Sequence, residues 1–184
     1  QDTRYIAART FRELAYPAAH PYSRQPEGRL APVMAITREQ LLDYHTTHLG
    51  PRGMVIVIVG AVSVASAVDR VTTYFGDWVN PDQPPVPPLP DVPPVEAVRA
   101  HTTVMPDKSQ ADLVLGVPGP SRLAEDWYAA NLANAVLGVF GMYGRIGAEV
   151  REKRGLAYYS YSRLDGGVGP GPWRVIAGVN PVNV

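Results

Sequence analysis

Two residues with chemically useful side chains, Arg151 and Tyr158, lie seven positions apart in the stretch Gly144–Tyr161, which has the sequence GRIGAEVREKRGLAYYSY. A guanidinium and a phenol both donate hydrogen bonds. Donors that are placed in advance stabilise negative charge that develops on an oxygen during a reaction. The alternative is a structural role, in which Arg151 is a surface cation at a helix end and Tyr158 belongs to the core.

The stretch is expected to position these residues as a helix that runs directly into a strand. Apolar residues at four-residue spacing (Met142, Ile146 and Val150) predict an amphipathic helix. Arg151 lies off this stripe and has room to extend. Gly155 suits the left-handed position just past the helix. The period then becomes two, so one strand face should carry Leu156, Tyr158, Ser160 and Ser162, and the other Ala157, Tyr159 and Tyr161.

The run VREKRGLAYYSYS at 150–162 resembles a signature of the pitrilysin/insulinase family of zinc metalloendopeptidases, in the group that includes the mitochondrial processing peptidases. In that family the signature opens the second domain, and its Arg and Tyr are thought to hold the substrate carbonyl beside the zinc site of the other domain. The resemblance therefore implies catalytic, substrate-binding roles for Arg151 and Tyr158. Each donor would stabilise the developing charge by about 3 kcal/mol.

Three further stretches are similar to segments of the same family: HPYSRQPEG at 20–28, ITREQLLDYHTTHLGPRGMVIVIVG at 36–60 and SQADLVLGVPGP at 109–120. One departure is mild, since the family usually has Ser-Arg-Leu where this chain has Gly144, Arg145 and Ile146. The resemblance covers nearly the whole chain and only the middle of the family's length. The chain is therefore expected to be a piece of a longer protein.

Three histidines, His20, His45 and His48, are candidates for zinc ligands, but their pattern does not favour that role. The family's inverted motif, HxxEH, has two histidines four apart beside a glutamate that acts as general base. His45 and His48 are three apart, with Thr46 and Thr47 between them, and His20 lies in a proline-containing loop. We therefore expect no metal ligand and no cofactor-binding residue in this chain. The resemblance implies that zinc is bound elsewhere in the intact enzyme or by a partner subunit.

Composition excludes several other classes of function. The chain has 184 residues, a formal net charge of zero and no cysteine, so it has no disulfide framework and no thiol catalysis. A net charge of zero disfavours nucleic acid and anionic membranes as partners, because both bind proteins that carry an excess of basic side chains. No apolar run approaches the roughly 18 residues that span a membrane. The compartment, cytoplasm or cell envelope of a bacterium, is left open.

The periodicities predict an α+β fold, a two-layer sandwich of helices on a mostly antiparallel or mixed sheet. We expect residues 1–78 to be the end of a first peptidase-like domain, 79–97 a proline-rich linker, and 98–184 the start of a second. The predicted elements are helices at 3–16, 37–50, 63–75 and 122–137, a loop at 17–34, a buried strand at Met54–Val59, a hairpin of strands at 97–105 and 110–117, and a last strand at 173–178.

Two functions follow as hypotheses. The first is a zinc-dependent endopeptidase that acts on peptides or unfolded polypeptides, to which this chain supplies Arg151 and Tyr158. Its partners would be the peptide substrate and either the rest of the chain or a zinc-bearing subunit. The second is a non-catalytic scaffold subunit of the same fold. Because interrupted sheets leave unpaired strand edges, we also expect the chain to form a homodimer.

Overall fold

The computed structural model describes residues 2–139 and 144–184. These residues form two compact units, one from Gln1–Gly28 with Leu89–Val184 and the other from Arg29–Pro88. The elements are, in chain order, α1 (Thr3–Ala15), a 3-10 turn (Pro21–Ser23), α2 (Leu30–Ala35), α3 (Arg38–His48), α4 (Val64–Phe75), β1 (Ala111–Pro118), α5 (Trp127–Gly138), a π-helix (Gly147–Glu152), β2 (Ala157–Leu164), β3 (Pro172–Val179) and a second 3-10 turn (Pro181–Asn183).

The first unit is built on a three-stranded antiparallel sheet. The strand order is β1–β3–β2, so the last strand in sequence is central and pairs with both of the others. Val114 faces Ile176 across one pair, and Tyr161 faces the same residue across the other. The predicted α+β class with an antiparallel sheet is confirmed, and so is a last strand at this position.

Helices cover both faces of this sheet. Successive side chains of a strand point to opposite faces. Asp112 accepts a hydrogen bond from Thr3 of α1 on one face. On the other face, Ser162 donates to the backbone oxygen of Asn134 in α5 at 3.1 Å, and Trp173 donates to the Asn134 side chain at 2.9 Å. Since α1 and α5 lie on opposite faces, this unit has a third layer beyond the two that were expected.

Helix α1 forms where the sequence predicts it. Asp2 caps the helix, and its side chain accepts hydrogen bonds from the backbone N–H groups of Arg4 at 2.8 Å and Tyr5 at 3.2 Å. Ile6 and Phe11 are buried on its inner side. Burial of such a side chain contributes about 1.5–3 kcal/mol. The contact of α1 with β1 joins the N-terminal residues to the sheet of 98–184. The expected division into 1–78, 79–97 and 98–184 stays a prediction for a longer protein.

The second unit keeps its predicted helix caps. Thr37 and Gln40 form a reciprocal capping box at the start of α3, and Ser63 accepts a hydrogen bond from the N–H of Ser66 at the start of α4. The side-chain amide of Asn80 donates to backbone oxygens at the end of α3. The loop predicted for 17–34 contains a 3-10 turn and α2, so that prediction was wrong in part.

Two strand predictions were wrong. Met54–Val59 was expected to be a strand buried on both faces, but it is in no strand and it is exposed. The exposed fraction still alternates, at 83%, 78% and 92% for Val55, Val57 and Val59 against 44–49% for the residues between them. A strand needs a neighbour to pair its N–H and C=O groups, and none of the described strands pairs with this segment.

The predicted hairpin of 97–105 with 110–117 is also absent from the described structure. A turn does form at 106–107, where Asp107 has a φ of 61°. Residues 97–105 form no strand, and the pairing that was expected for them belongs to β3, which pairs with β1. The described helices include none that is long and apolar enough to cross a membrane.

Candidate functional site: Arg151 and Tyr158

Arg151 lies near the end of a π-helix rather than the α-helix that the sequence predicted. The N–H of Lys153 donates to the backbone oxygen of Ala148 at 3.0 Å, five residues back, which is the π-helical spacing. Single turns of π-helix are frequent at functional sites. Of the predicted apolar stripe, Met142 lies outside the described residues, and Ile146 and Val150 are partly buried.

The helix ends as predicted at a glycine. Gly155 has a φ of 61°, a left-handed conformation that favours a residue without a Cβ. Its N–H donates to the backbone oxygen of Arg151 at 2.9 Å, and the N–H of Leu156 donates to that of Val150 at 3.0 Å. These two hydrogen bonds fix the backbone at the C-terminal end of the helix, and the Arg151 side chain is exposed.

Tyr158 occupies a β-bulge at the start of β2. Ala157 lies opposite Val179 and Tyr159 lies opposite Gly178, so Tyr158 is an extra residue without a partner in β3. The predicted faces were therefore wrong at this point. The bulge breaks the period of two, so buried Ala157 shares a face with Ser160 and Ser162, and Tyr158 is 57% exposed.

The side chains of Arg151 and Tyr158 make no polar interactions with the described residues. Among residues 2–139 and 144–184, the Arg151 guanidinium and the Tyr158 hydroxyl have no hydrogen-bond or ion-pair partner. The neighbouring charged residues Lys153 and Glu149, in contrast, are partners of each other. Lys153 donates to Glu149 at 2.5 Å, and that hydrogen bond holds the pKa of Glu149 below its usual value. Arg151 and Tyr158 are thus available as donors to a bound group, although neither a hydrogen bond nor a cation–π contact joins them in the described residues.

A second polar cluster lies next to the bulge and was missed from the sequence. The carboxylate of Asp112 is 1% exposed and accepts hydrogen bonds from the hydroxyl groups of Thr3 and Tyr159. The guanidinium carbon of Arg4 lies 4.5 Å from the centre of the Tyr159 ring. Burial and the hydrogen bond to Asp112 raise the pKa of Tyr159. The signal in the sequence that could have revealed this cluster is the acidic residue Asp112 within the apolar run ADLVLGV.

The histidines do not form a zinc site in the described residues. His48 stacks on Tyr44 with ring centres 4.5 Å apart, in the last turn of α3. His20 is fully buried, and its Nδ1 accepts the N–H of Tyr22 at 3.0 Å, so it has a structural role. The parts of the chain that the structure describes hold no group of three His, Cys, Asp or Glu side chains that could bind a metal ion. These residues do not fit zinc.

Comparisons with known proteins show similarity to a peptidase domain and to relatives that are named zinc proteases. Residues 35–184 match the family model described as peptidase M16 inactive domain. An uncharacterized zinc protease of Mycobacterium leprae is 33% identical over 146 residues, which are 79% of this chain and 33% of that protein. An uncharacterized zinc protease of Streptomyces coelicolor is 32% identical over 160 residues, 85% of this chain and 35% of that protein. The chain spans about a third of the length of these relatives.

Solved structures share the fold. A crystal structure of a peptidase M16 inactive domain from Pseudomonas fluorescens superposes with a TM-score of 0.82 and 26% identity, covering 98% of this chain and 42% of that one. A protease from Helicobacter pylori superposes with a TM-score of 0.84 at 21% identity, covering 96% and 42%, and shows the fold alone. The family match covers well over half of the chain, so the chain belongs to the peptidase M16 family of zinc proteases, the pitrilysin/insulinase type that its signature resembles.

Proposed function

We propose that this chain supplies Arg151 and Tyr158 as substrate-binding groups to a zinc-dependent endopeptidase whose zinc site lies outside the chain. The observation that carries the proposal is that both side chains are exposed and without partners in the described structure, on either side of the left-handed turn at Gly155. The relatives that are named zinc proteases support the same class of activity.

The chemistry of the pair suits peptide hydrolysis. Negative charge develops on the carbonyl oxygen when the peptide bond is attacked, and a guanidinium and a phenol can both donate to that oxygen. The helix end and the bulge fix the backbone of Arg151 and Tyr158, so only their side chains have to adjust when substrate binds. The partners in this proposal are a peptide or unfolded polypeptide and the zinc-bearing remainder of a longer chain or a partner subunit.

The test is turnover of a peptide substrate by the intact protein with Arg151→Ala and, separately, with Tyr158→Phe. We expect kcat to fall about 100-fold or more for Arg151→Ala, with zinc content unchanged, since neither residue is a metal ligand. Arg154→Ala is the matched control, because Arg154 is also an exposed arginine at this helix end. Wild-type kcat in both site variants would refute the proposal.

A second candidate is a non-catalytic scaffold subunit of the same fold. One observation favours it: the matching family model is described as an inactive domain. In that case Arg151→Ala and Tyr158→Phe would leave proteolysis by the whole assembly unchanged. The sequence of the complete parent protein and of its neighbouring subunit separates the two functions, because only the peptidase requires HxxEH in one of them.

A further inference from the structure

The position of the β-bulge decides where the Tyr158 phenol projects. Ala157 faces Val179 and Tyr159 faces Gly178, so one residue of β2 is left over between them. A bulge of this kind redirects the side chain of the extra residue. If the bulge moved by one position, Tyr158 would enter the paired strand and Tyr159 would take its place at the surface. Something must therefore fix the register at Tyr159.

Tyr159 is held by a hydrogen bond across the sheet. Its hydroxyl donates to Oδ1 of Asp112, a carboxylate that is 1% exposed. The same carboxylate accepts from Thr3 of α1 and from the Gln110 amide, the latter at 2.8 Å, while Nε of Arg4 lies 3.8 Å away. A buried carboxylate with this many donors is a fixed acceptor, because turning away would leave its charge unpaired.

Gly178 leaves room for the Tyr159 ring to cross β3. Asp112, Gly178 and Tyr159 lie in one row across the three strands, with the glycine in the middle. A Cβ on Gly178 would overlap Cε1 of Tyr159 and come within 2.7 Å of its Cζ. The ring therefore crosses β3 directly over Gly178, which is how a residue of β2 reaches an acceptor on β1.

We propose that Asp112, Gly178 and Tyr159 are positioning residues that keep the bulge at Tyr158 and so keep its phenol at the surface for substrate. This inference rests on the proposed function, in which Tyr158 contacts substrate. None of the three touches substrate in this arrangement, and each acts through Tyr158. The raised pKa of Tyr159, caused first by burial and then by the hydrogen bond to Asp112, agrees with a hydroxyl that stays protonated as the donor.

The experiment is a double-mutant cycle in the intact protein, with kcat for a peptide substrate as the readout. Tyr159→Phe removes the hydroxyl and keeps the ring, and we expect kcat to fall about 10- to 100-fold with zinc content unchanged. In a Tyr158→Phe background the same change should have no further effect, because there is no phenol left to position. Tyr161→Phe is the control, since Tyr161 lies on the same face and opposite Ile176 instead of Gly178.

The outcomes separate this inference from the proposed function. If Tyr158→Phe itself has wild-type kcat, the positioning role fails because Tyr158 does not act on substrate, and the proposed function fails as well if Arg151→Ala is also unimpaired. If Tyr158→Phe is impaired and Tyr159→Phe is either silent or equally harmful in both backgrounds, only the positioning role is overturned. If Tyr159→Phe does not fold, Asp112→Asn replaces it in the cycle with the same expectations.

A measurement independent of activity tests the bulge directly. With 3-fluorotyrosine at position 158, the fluorine resonance reports the surroundings of that ring. We expect Asp112→Asn and Gly178→Ala to shift or split this resonance, and Tyr161→Phe to leave it in place. An unchanged resonance in both positioning variants would overturn the inference.

Discussion

Arg174 and Asp165 form a buried ion pair at the end of the sheet opposite to the bulge. Nη2 of Arg174 donates to Oδ2 of Asp165 at 2.5 Å, and the Arg174 side chain is only 8% exposed. The same carboxylate lies 3.9 Å from Arg12 of α1 and accepts from Arg163 at 2.5 Å. Burial lowers the pKa of Arg174, and the charge of Asp165 opposes that effect. Asp165 therefore links the turn after β2 to both β3 and α1.

We expect Asp165→Asn to lower the free energy of unfolding by about 3 kcal/mol, because it leaves the buried Arg174 charge without its counter-ion. Arg163→Ala removes an arginine from the same carboxylate, but its side chain is 64% exposed and the loss should be below about 1 kcal/mol. Urea unfolding followed by tryptophan fluorescence measures both values. Equal losses of unfolding free energy in Asp165→Asn and Arg163→Ala would contradict the prediction that burial makes the Arg174 pair the more important one.

Stability should decrease at alkaline pH through Tyr16. Burial is the main cause that raises the pKa of Tyr16, while the positive charge of Arg12 opposes it. In the unfolded chain the phenol ionises near pH 10, so its contribution is fully present below that pH and is lost as pH rises above it. We expect the free energy of unfolding to begin to fall at about pH 10 and to go on falling as the pH rises towards the raised folded-state pKa of Tyr16.

Tyr16→Phe is the variant that tests this titration. At neutral pH it removes a 2.9 Å hydrogen bond to the backbone oxygen of Pro170, at a cost of about 1 kcal/mol. Above pH 10 its stability should fall less steeply than that of the wild type, with a remaining slope from Tyr159, whose pKa is raised as well. Urea unfolding at a series of pH values measures the slopes, and identical slopes would show that Tyr16 does not contribute.

His20 should matter for stability and not for metal binding. Its ring is fully buried and stacks on Tyr16 with centres 5.3 Å apart. His20→Ala would leave a cavity and an unpaired N–H on Tyr22, so we expect a loss of about 3 kcal/mol. The zinc content of the folded intact protein should stay the same. His101→Ala, at an exposed position, is the control for both measurements. Loss of zinc from the folded His20 variant would make it a ligand.

The 184-residue chain by itself should associate with a second copy. Met54–Val59 exposes alternating apolar side chains and pairs with none of the described strands, and such segments pair with other chains. Light scattering should detect a dimer, and Val57→Lys should weaken it. Val86→Lys is the control, because Val86 is also highly exposed but lies among prolines that cannot support strand pairing. A monodisperse wild-type monomer would contradict the prediction.

Local interactions were predictable from the sequence. The capping box of Thr37 and Gln40, the cap at Ser63 and the left-handed turn at Gly155 all formed where the residue types indicated. Each depends on atoms within a few residues of one another, so the sequence contains all the information that is needed. The Arg151 and Tyr158 pair was also located from its sequence signature, and its role stays a prediction.

Pairing between distant segments was not predictable in the same way. Met54–Val59 has the composition of a buried strand, but composition cannot supply the neighbouring strand that would bury it. The prediction paired 97–105 with 110–117, but β1 pairs instead with β3, which lies about 60 residues further along the chain. The bulge at Tyr158 breaks a period of two that its sequence alone would continue.

The sequence by itself determined the family, the helix caps at Thr37 and Ser63, the turn at Gly155 and the presence of an arginine and a tyrosine seven residues apart. Only the tertiary structure decided that Tyr158 is the exposed residue and Tyr159 the anchored one. The physical reason is that their identical side chains differ only in what lies across the sheet, where Gly178 leaves room for the Tyr159 ring and Asp112 accepts its hydrogen bond.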